Sequence, residues 1–149
     1  MKTIILYAST HHGNTKKIVE RMAKQMGART VDVVKEGVPD ISSYKLIGLA
    51  SGVYFGTFHE TLVKFAQEAE FTPAQRVFLA DTCGVGWKDY TGSIRRLLES
   101  RGVTCQGRFQ CRGYDTYGPW KLIGGIARKH PNETDLRKAE IFAKRMVKG

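Results

Sequence analysis

Apolar residues in this chain gather in short continuous runs: Ile4-Ile5-Leu6-Tyr7-Ala8, Leu46-Ile47-Gly48-Leu49-Ala50 and Val77-Phe78-Leu79-Ala80. Weaker runs lie at Val31-Asp32-Val33-Val34 and from Val103 to Phe109. Continuous rather than alternating runs suit strands of a parallel sheet covered on both faces, because side chains pointing up and down both meet a buried layer. Between the runs the spacing changes to three and four. Ile18, Val19, Met22, Ala23 and Met26 share one helical face, as do Leu62, Phe65, Ala66 and Ala69, then Ile94, Leu97 and Leu98, with Gly102 placed as a C-cap. A last helix is predicted from an Asn132 N-cap, with Ala139, Phe142, Ala143 and Met146 inward. The link from Val34 to Leu46 holds Pro39-Asp40 and has room only for a short helix.

Strand and helix alternating in this way predict a doubly wound α/β sandwich with right-handed crossovers. The length of 149 residues at 42% apolar composition is that of one domain, residues 1–149, with no linker, repeat or low-complexity segment. Ligands of such sheets bind beyond the carboxyl ends of the strands, at the switch point in strand order. The loops after the first, third and fourth strands are therefore where a site is expected.

The first of these loops, Ser9-Thr10-His11-His12-Gly13-Asn14-Thr15, is dense in small hydroxyl and amide groups and reads as a phosphate cradle. Backbone N–H groups at a helix start bind an anion, Gly13 allows close approach, and the hydroxyls of Ser9, Thr10 and Thr15 are donors. No G-x-x-x-x-G-K-[ST] motif occurs, and no G-x-G-x-x-G follows the first strand, which argues against a nucleoside triphosphatase or a Rossmann dehydrogenase. His11 and His12 fit either a place beside the phosphate or plain exposure. A metal there would need ligands that only the distant His59 or His130 offer, so no metal is expected.

The second loop, Ser51-Gly52-Val53-Tyr54-Phe55-Gly56, sets two aromatics between glycines and suits stacking on a flat ring, or for one of the two a place in the core. The third, Asp81-Thr82-Cys83-Gly84-Val85-Gly86-Trp87, repeats the combination of small polar edge, glycines and one large aromatic. Cys83 lacks an activating base in its loop and is assigned to packing.

Charge and cysteine content narrow the setting. Three cysteines, Cys83, Cys105 and Cys111, lack the paired spacing of a zinc or redox site and read as buried thiols. No run spans a bilayer, and Met1-Lys2-Thr3 enters the first strand directly, which points to a soluble cytoplasmic protein. With 24 basic against 14 acidic residues the net charge is +10, open to nucleic acid, an anionic membrane or an acidic protein. Tyr114, Tyr117, Trp120, Leu122, Ile123 and Ile126 lie among Arg112, Lys121, Arg128 and Lys129. Glycines and Pro119 interrupt that segment, so a membrane-lying helix is not favoured and a partner-docking role for the basic residues is.

Taken together, the strand Ile4 to Ala8, the loop ending Gly13-Asn14-Thr15, the glycine-aromatic second loop and Cys83-Gly84 resemble the flavodoxin family over essentially the whole chain. The resemblance implies a three-layer sandwich, with helices on both faces of a five-stranded parallel sheet of order 2-1-3-4-5. It implies FMN held by the three loops, through Ser9 to Thr15, Ser51 to Gly56, Thr82, Cys83, Gly84, Gly86 and Trp87. It further implies electron transfer between redox partner proteins through semiquinone and hydroquinone states, with the Gly52 peptide turning to accept a hydrogen bond from the flavin N5–H. A partner with an acidic docking face follows from the charge; nucleic acid does not.

Two alternatives stand beside this reading. Ser51 to Phe65, and Lys121-Leu122-Ile123 through Asn132-Glu133-Thr134-Asp135, are similar to the flavodoxin-like quinone-dependent protoporphyrinogen oxidases. Against that enzyme, the stretch between strands four and five holds one ordinary helix without their long insertion. The other alternative is a basic binding module without FMN.

Overall fold

Strand and helix alternate throughout the computed structural model, which describes residues 2–9, 13–54, 56–84, 88–113 and 130–149. The order is β1 (Thr3–Ala8), α1 (Asn14–Met26), β2 (Arg29–Asp32), α2 (Val33–Glu36), β3 (Leu46–Gly52), α3 (Glu60–Glu68), β4 (Arg76–Cys83), α4 (Gly92–Ser100), β5 (Thr104–Arg112) and α5 (Glu133–Lys148). All four strand pairings are parallel and the sheet runs β2-β1-β3-β4-β5. This is the order that the resemblance implied.

The period of two along each strand divides the interior into two cores. One face carries Ile4, Leu6, Ile47, Leu49, Val77 and Leu79, and meets Leu62 and Phe65 of α3 and Ile94 and Leu98 of α4. The other carries Ile5, Leu46, Ala50, Phe78 and Ala80, and meets Ile18 and Met22 of α1 and Phe142 and Ala143 of α5. Burying each of the larger side chains contributes about 1.5–3 kcal/mol. Within the second core Gly48 makes room for the Phe78 ring, since a Cβ at Gly48 would lie 2.3 Å from Phe78 Cζ. Arg21 fastens α1 to α5 through Glu133 (3.0 Å) and Glu140 (2.9 Å).

Val33 and Val34 depart from the strand expected of them and open the short helix α2. The cause is local. Asp32 Oδ1 accepts from the backbone N–H groups of Val34 (3.1 Å) and Lys35 (3.3 Å), while the Asp32 N–H donates to Glu36 Oε2 at 3.0 Å. Such reciprocal capping, worth about 1 kcal/mol, outweighs the strand preference of two valines, of which Val34 remains 44% exposed. β5 also extends past Phe109 to Arg112, and the C-cap of α4 is Arg101 rather than Gly102, which follows it in the left-handed region at φ +78. Among the described residues no helix is long and apolar enough to cross a membrane.

Candidate functional site

The carboxyl ends of β1, β3 and β4 lie side by side, because Ala8 pairs with Ser51 and Gly52 with Thr82 in register. The three loops singled out in the sequence therefore leave the sheet at one edge. Of their residues, Ser9, Gly13, Asn14, Thr15, Ser51, Gly52, Val53, Tyr54, Gly56, Thr82, Cys83 and Gly84 are described. Thr10, His11, His12, Phe55, Gly86 and Trp87 lie outside the described residues, as does the 114–129 stretch.

At the first loop, α1 begins after Gly13, whose φ of 64 and ψ of 22 place it in the left-handed region that favours glycine. Gly13 has no side chain to cap this helix start, and the first turn holds no acidic residue to offset the positive end of the helix dipole. Ser9 Oγ accepts from the N–H of Lys16, in the first turn of α1, at 3.2 Å and ties the end of β1 to the helix. Thr15, only 1% exposed, meets the Thr82 hydroxyl at 2.9 Å, which joins the first loop to the end of β4. Gly113, just past β5, fits against Asn14: a Cβ there would come within 2.7 Å of Asn14 Nδ2.

The second loop is a tight turn. Tyr54 N–H donates to Thr57 O (2.7 Å), Thr57 N–H donates back to Tyr54 O (3.1 Å), and Gly56 between them has φ 80. The half-buried Tyr54 ring lies over Gly52 and stands edge-on to the His59 ring, with centroids 5.0 Å apart. Ser51 Oγ is wholly buried, accepts from His59 N–H (2.9 Å) and donates to Gly52 O (2.5 Å). Both edges of the loop are thereby held to the end of β3.

The third loop is clamped at its two ends by β5. Gly84 O accepts from Arg112 Nε (3.1 Å) and Nη2 (2.8 Å), and Cys83 O accepts from Gly113 N–H (2.9 Å). Past the loop, Lys88 O accepts from Gln110 Nε2 at 2.8 Å, and Asp89 pairs with Arg108 at 2.6 Å while capping Thr91. Cys83 is buried with its Sγ 3.6 Å from Cys111 O, in keeping with packing. Burial pushes the Cys105 thiol up to about 11 and the Cys111 thiol higher still.

Asp81 was legible only as the first residue of the third loop, not as a site residue. In the fold it has no exposed surface, and neither carboxyl oxygen has a hydrogen-bond partner among the described residues. Burial pushes its pKa up to about 8; the Asp89 charge adds to the rise and Arg108 opposes it. At neutral pH it is mostly an uncharged acid. On the α5 side of the sheet, Cys111, Arg112, His130, Asp135 and Lys138 line a cleft of about 480 Å³, in which His130 Nδ1 bonds Asp135 Oδ2 at 2.6 Å.

A sequence profile of the flavodoxin domain family matches residues 4–102. An uncharacterised protein of Methanocaldococcus jannaschii is 39% identical over 150 residues, covering 99% of each chain. The fold is similar to that of oxidised flavodoxin 2 from Bacillus cereus, with TM-score 0.70 and 16% identity over 99% of both chains. A flavodoxin from the domain Archaea superposes with TM-score 0.66 at 16% identity, covering 99% of this chain and 97% of the other. The order of the sheet, the similar folds and the matched span agree, and this chain belongs to the flavodoxin domain family.

Proposed function

We propose that the chain binds one FMN across the three loops and carries electrons between redox partner proteins. The observation that carries this reading is the joining of the loops at one sheet edge, above all the Thr15–Thr82 contact that brings the start of α1 to the end of β4. The residues present fit the group. A helix start behind a glycine, with no acidic residue in its first turn, suits a phosphate dianion. Gly113 fits so closely to Asn14 that a side chain there would fill the cradle wall. A carboxyl that stays neutral at Asp81 adds no negative charge at the end of β4, where a bound flavin would gain electrons.

When bound, FMN supplies the one-electron and two-electron chemistry. The chain supplies the surroundings. Ser9, Thr10, Gly13, Asn14 and Thr15 hold the phosphate end, His11 or His12 adds a donor beside it, and Gly52 offers a backbone carbonyl to the ring. Tyr54, Phe55 and Trp87 keep water from its faces, while Cys83, Gly84 and Gly86 shape the third loop to its edge. The net charge of +10 favours a partner with an acidic docking face.

Fluorescence titration of FMN and of riboflavin with the purified chain tests the reading. The expected result is quenching at one FMN per chain, with riboflavin at least about tenfold weaker, a difference of about 1.4 kcal/mol in phosphate contacts. Equal affinity for the two flavins removes the phosphate assignment. A chain that binds neither is a binding module of another kind, and sustained oxidation of protoporphyrinogen with a quinone moves the reading to an oxidase.

A further inference from the structure

Asp81 sits where an ionisable group is least expected. In register it lies between Ser51 of β3 and Gln110 of β5, on the same face of the sheet as Val77 and Leu79, and the chain leads from it through Thr82 and Cys83 into the third loop. Its nearest polar neighbour on β3 is already engaged, since Ser51 Oγ bonds His59 N–H and Gly52 O. The helices covering this face present Leu62, Phe65, Ile94 and Leu98. Among the described residues its charged surroundings are Asp89, before α4, and Arg108 of β5, which pair with each other at 2.6 Å. Cys111 of β5 feels its charge, and His59, at the head of α3, holds Nδ1 on Thr61. A carboxylate without partners in such a place is strongly disfavoured, whereas the neutral acid is tolerated.

We propose that Asp81 is the proton-coupled tuning residue of the flavin site, so that negative charge added above the end of β4 is answered by a proton held on, or drawn to, its carboxyl. The inference rests on the reading that FMN binds the three loops. Two negative charges in a partly buried region repel appreciably, so reduction at the site makes Asp81 harder to ionise. In the coupled step one electron comes from a one-electron reductant, such as the radical anion formed from dithionite, and one proton comes from water. A single O–H bond forms on Asp81, and no bond of the chain breaks. Because burial already pushes Asp81 up to about 8, the acid is protonated in both redox states near neutrality. Coupling is then visible only at higher pH, between the ionisation in the oxidised state and the later one in the reduced state.

Potentiometry of the FMN-loaded protein from pH 6 to 10 tests this, after flavin binding has been verified by fluorescence. The more reducing one-electron step is expected to be level around neutrality, to fall with rising pH above about 8, and to stay level across that range in Asp81→Asn. In wild-type protein labelled with ¹³C at aspartate carboxyl carbons, the Asp81 signal is expected to titrate at higher pH when reduced than when oxidised. This second measurement needs no variant. A chain that binds FMN yet shows no bend, or in which Asp81 titrates alike in both redox states, overturns the inference and leaves the FMN reading standing. A chain that binds no FMN overturns both.

Discussion

The hydroxyls of Thr15 and Thr82 meet 2.9 Å apart in the interior, although 67 residues separate them in sequence. Each is the other's buried partner. Thr15→Val or Thr82→Val leaves one hydroxyl without a bond, at an expected cost of about 1–3 kcal/mol. Replacing both should cost less than the sum of the two, because no orphan remains. Urea unfolding of the four proteins checks this, and strictly additive losses would show that the hydroxyls do not act on each other.

Gly48 and Phe78 allow a second test. The methyl group of Gly48→Ala would lie within 2.3–2.9 Å of three atoms of the Phe78 ring, which is fully buried and cannot swing away. Overpacking of this kind is expected to cost about 1–3 kcal/mol. Adding Phe78→Leu to that variant should return part of the loss, and thermal melts of the single and double variants measure it.

For Asp81 the sign of the pH dependence follows from linkage. Its folded pKa, about 8, lies above the ordinary carboxylate value, so the folded state holds a proton that the unfolded state has released. Its contribution is therefore most favourable at acid pH and is lost as pH rises from about 4 to about 8, by about 1.4 kcal/mol per unit at most. Asp81→Asn should be more stable than wild type at pH 9 and should lose that advantage near pH 4. Urea midpoints at the two pH values decide it; an unchanged difference would mean that Asp81 does not titrate on unfolding.

Charge gives a kinetic expectation. A chain of net charge +10 should associate quickly with an acidic redox protein at low ionic strength and more slowly as salt screens the field. Stopped-flow reduction rates in 50 and 500 mM salt measure this. Rates independent of salt would remove steering by net charge.

The continuous runs at Ile4, Leu46 and Val77 made the central strands legible, because strands buried on both faces need no alternation. Helix faces were equally plain. Val33 and Val34 misled because their fate is decided by a hydrogen-bond exchange between Asp32 and Glu36 that a count of apolar residues does not register. The three loops were legible from composition, but not what holds them. Arg112 on Gly84 and Gly113 against Asn14 join segments brought together only by the strand order. Asp81 was the hardest to recognise: its lack of a partner among the described residues comes from β3, β5 and two helices at once, and its own neighbours in sequence give no sign of it.

The slip in register on β5 bears on a hazard that any open sheet faces. Val77 pairs with Cys105 and Phe78 with Gly107, so Gln106 is an extra residue, and its Nε2 reaches across to Met146 O at 2.7 Å. Gly107 lets α5 close over this point, since a Cβ there would meet Met146 and Phe142. In the five-stranded sheet β5 is an edge, and it carries Arg108 and Arg112 with exposed surface. A kinked, cationic edge is a poor template for another chain's strand, and two copies approaching edge to edge would bring like charges together. Arg112, which clamps the third loop through Gly84 O, is thus also one of the charges that make this edge a poor template.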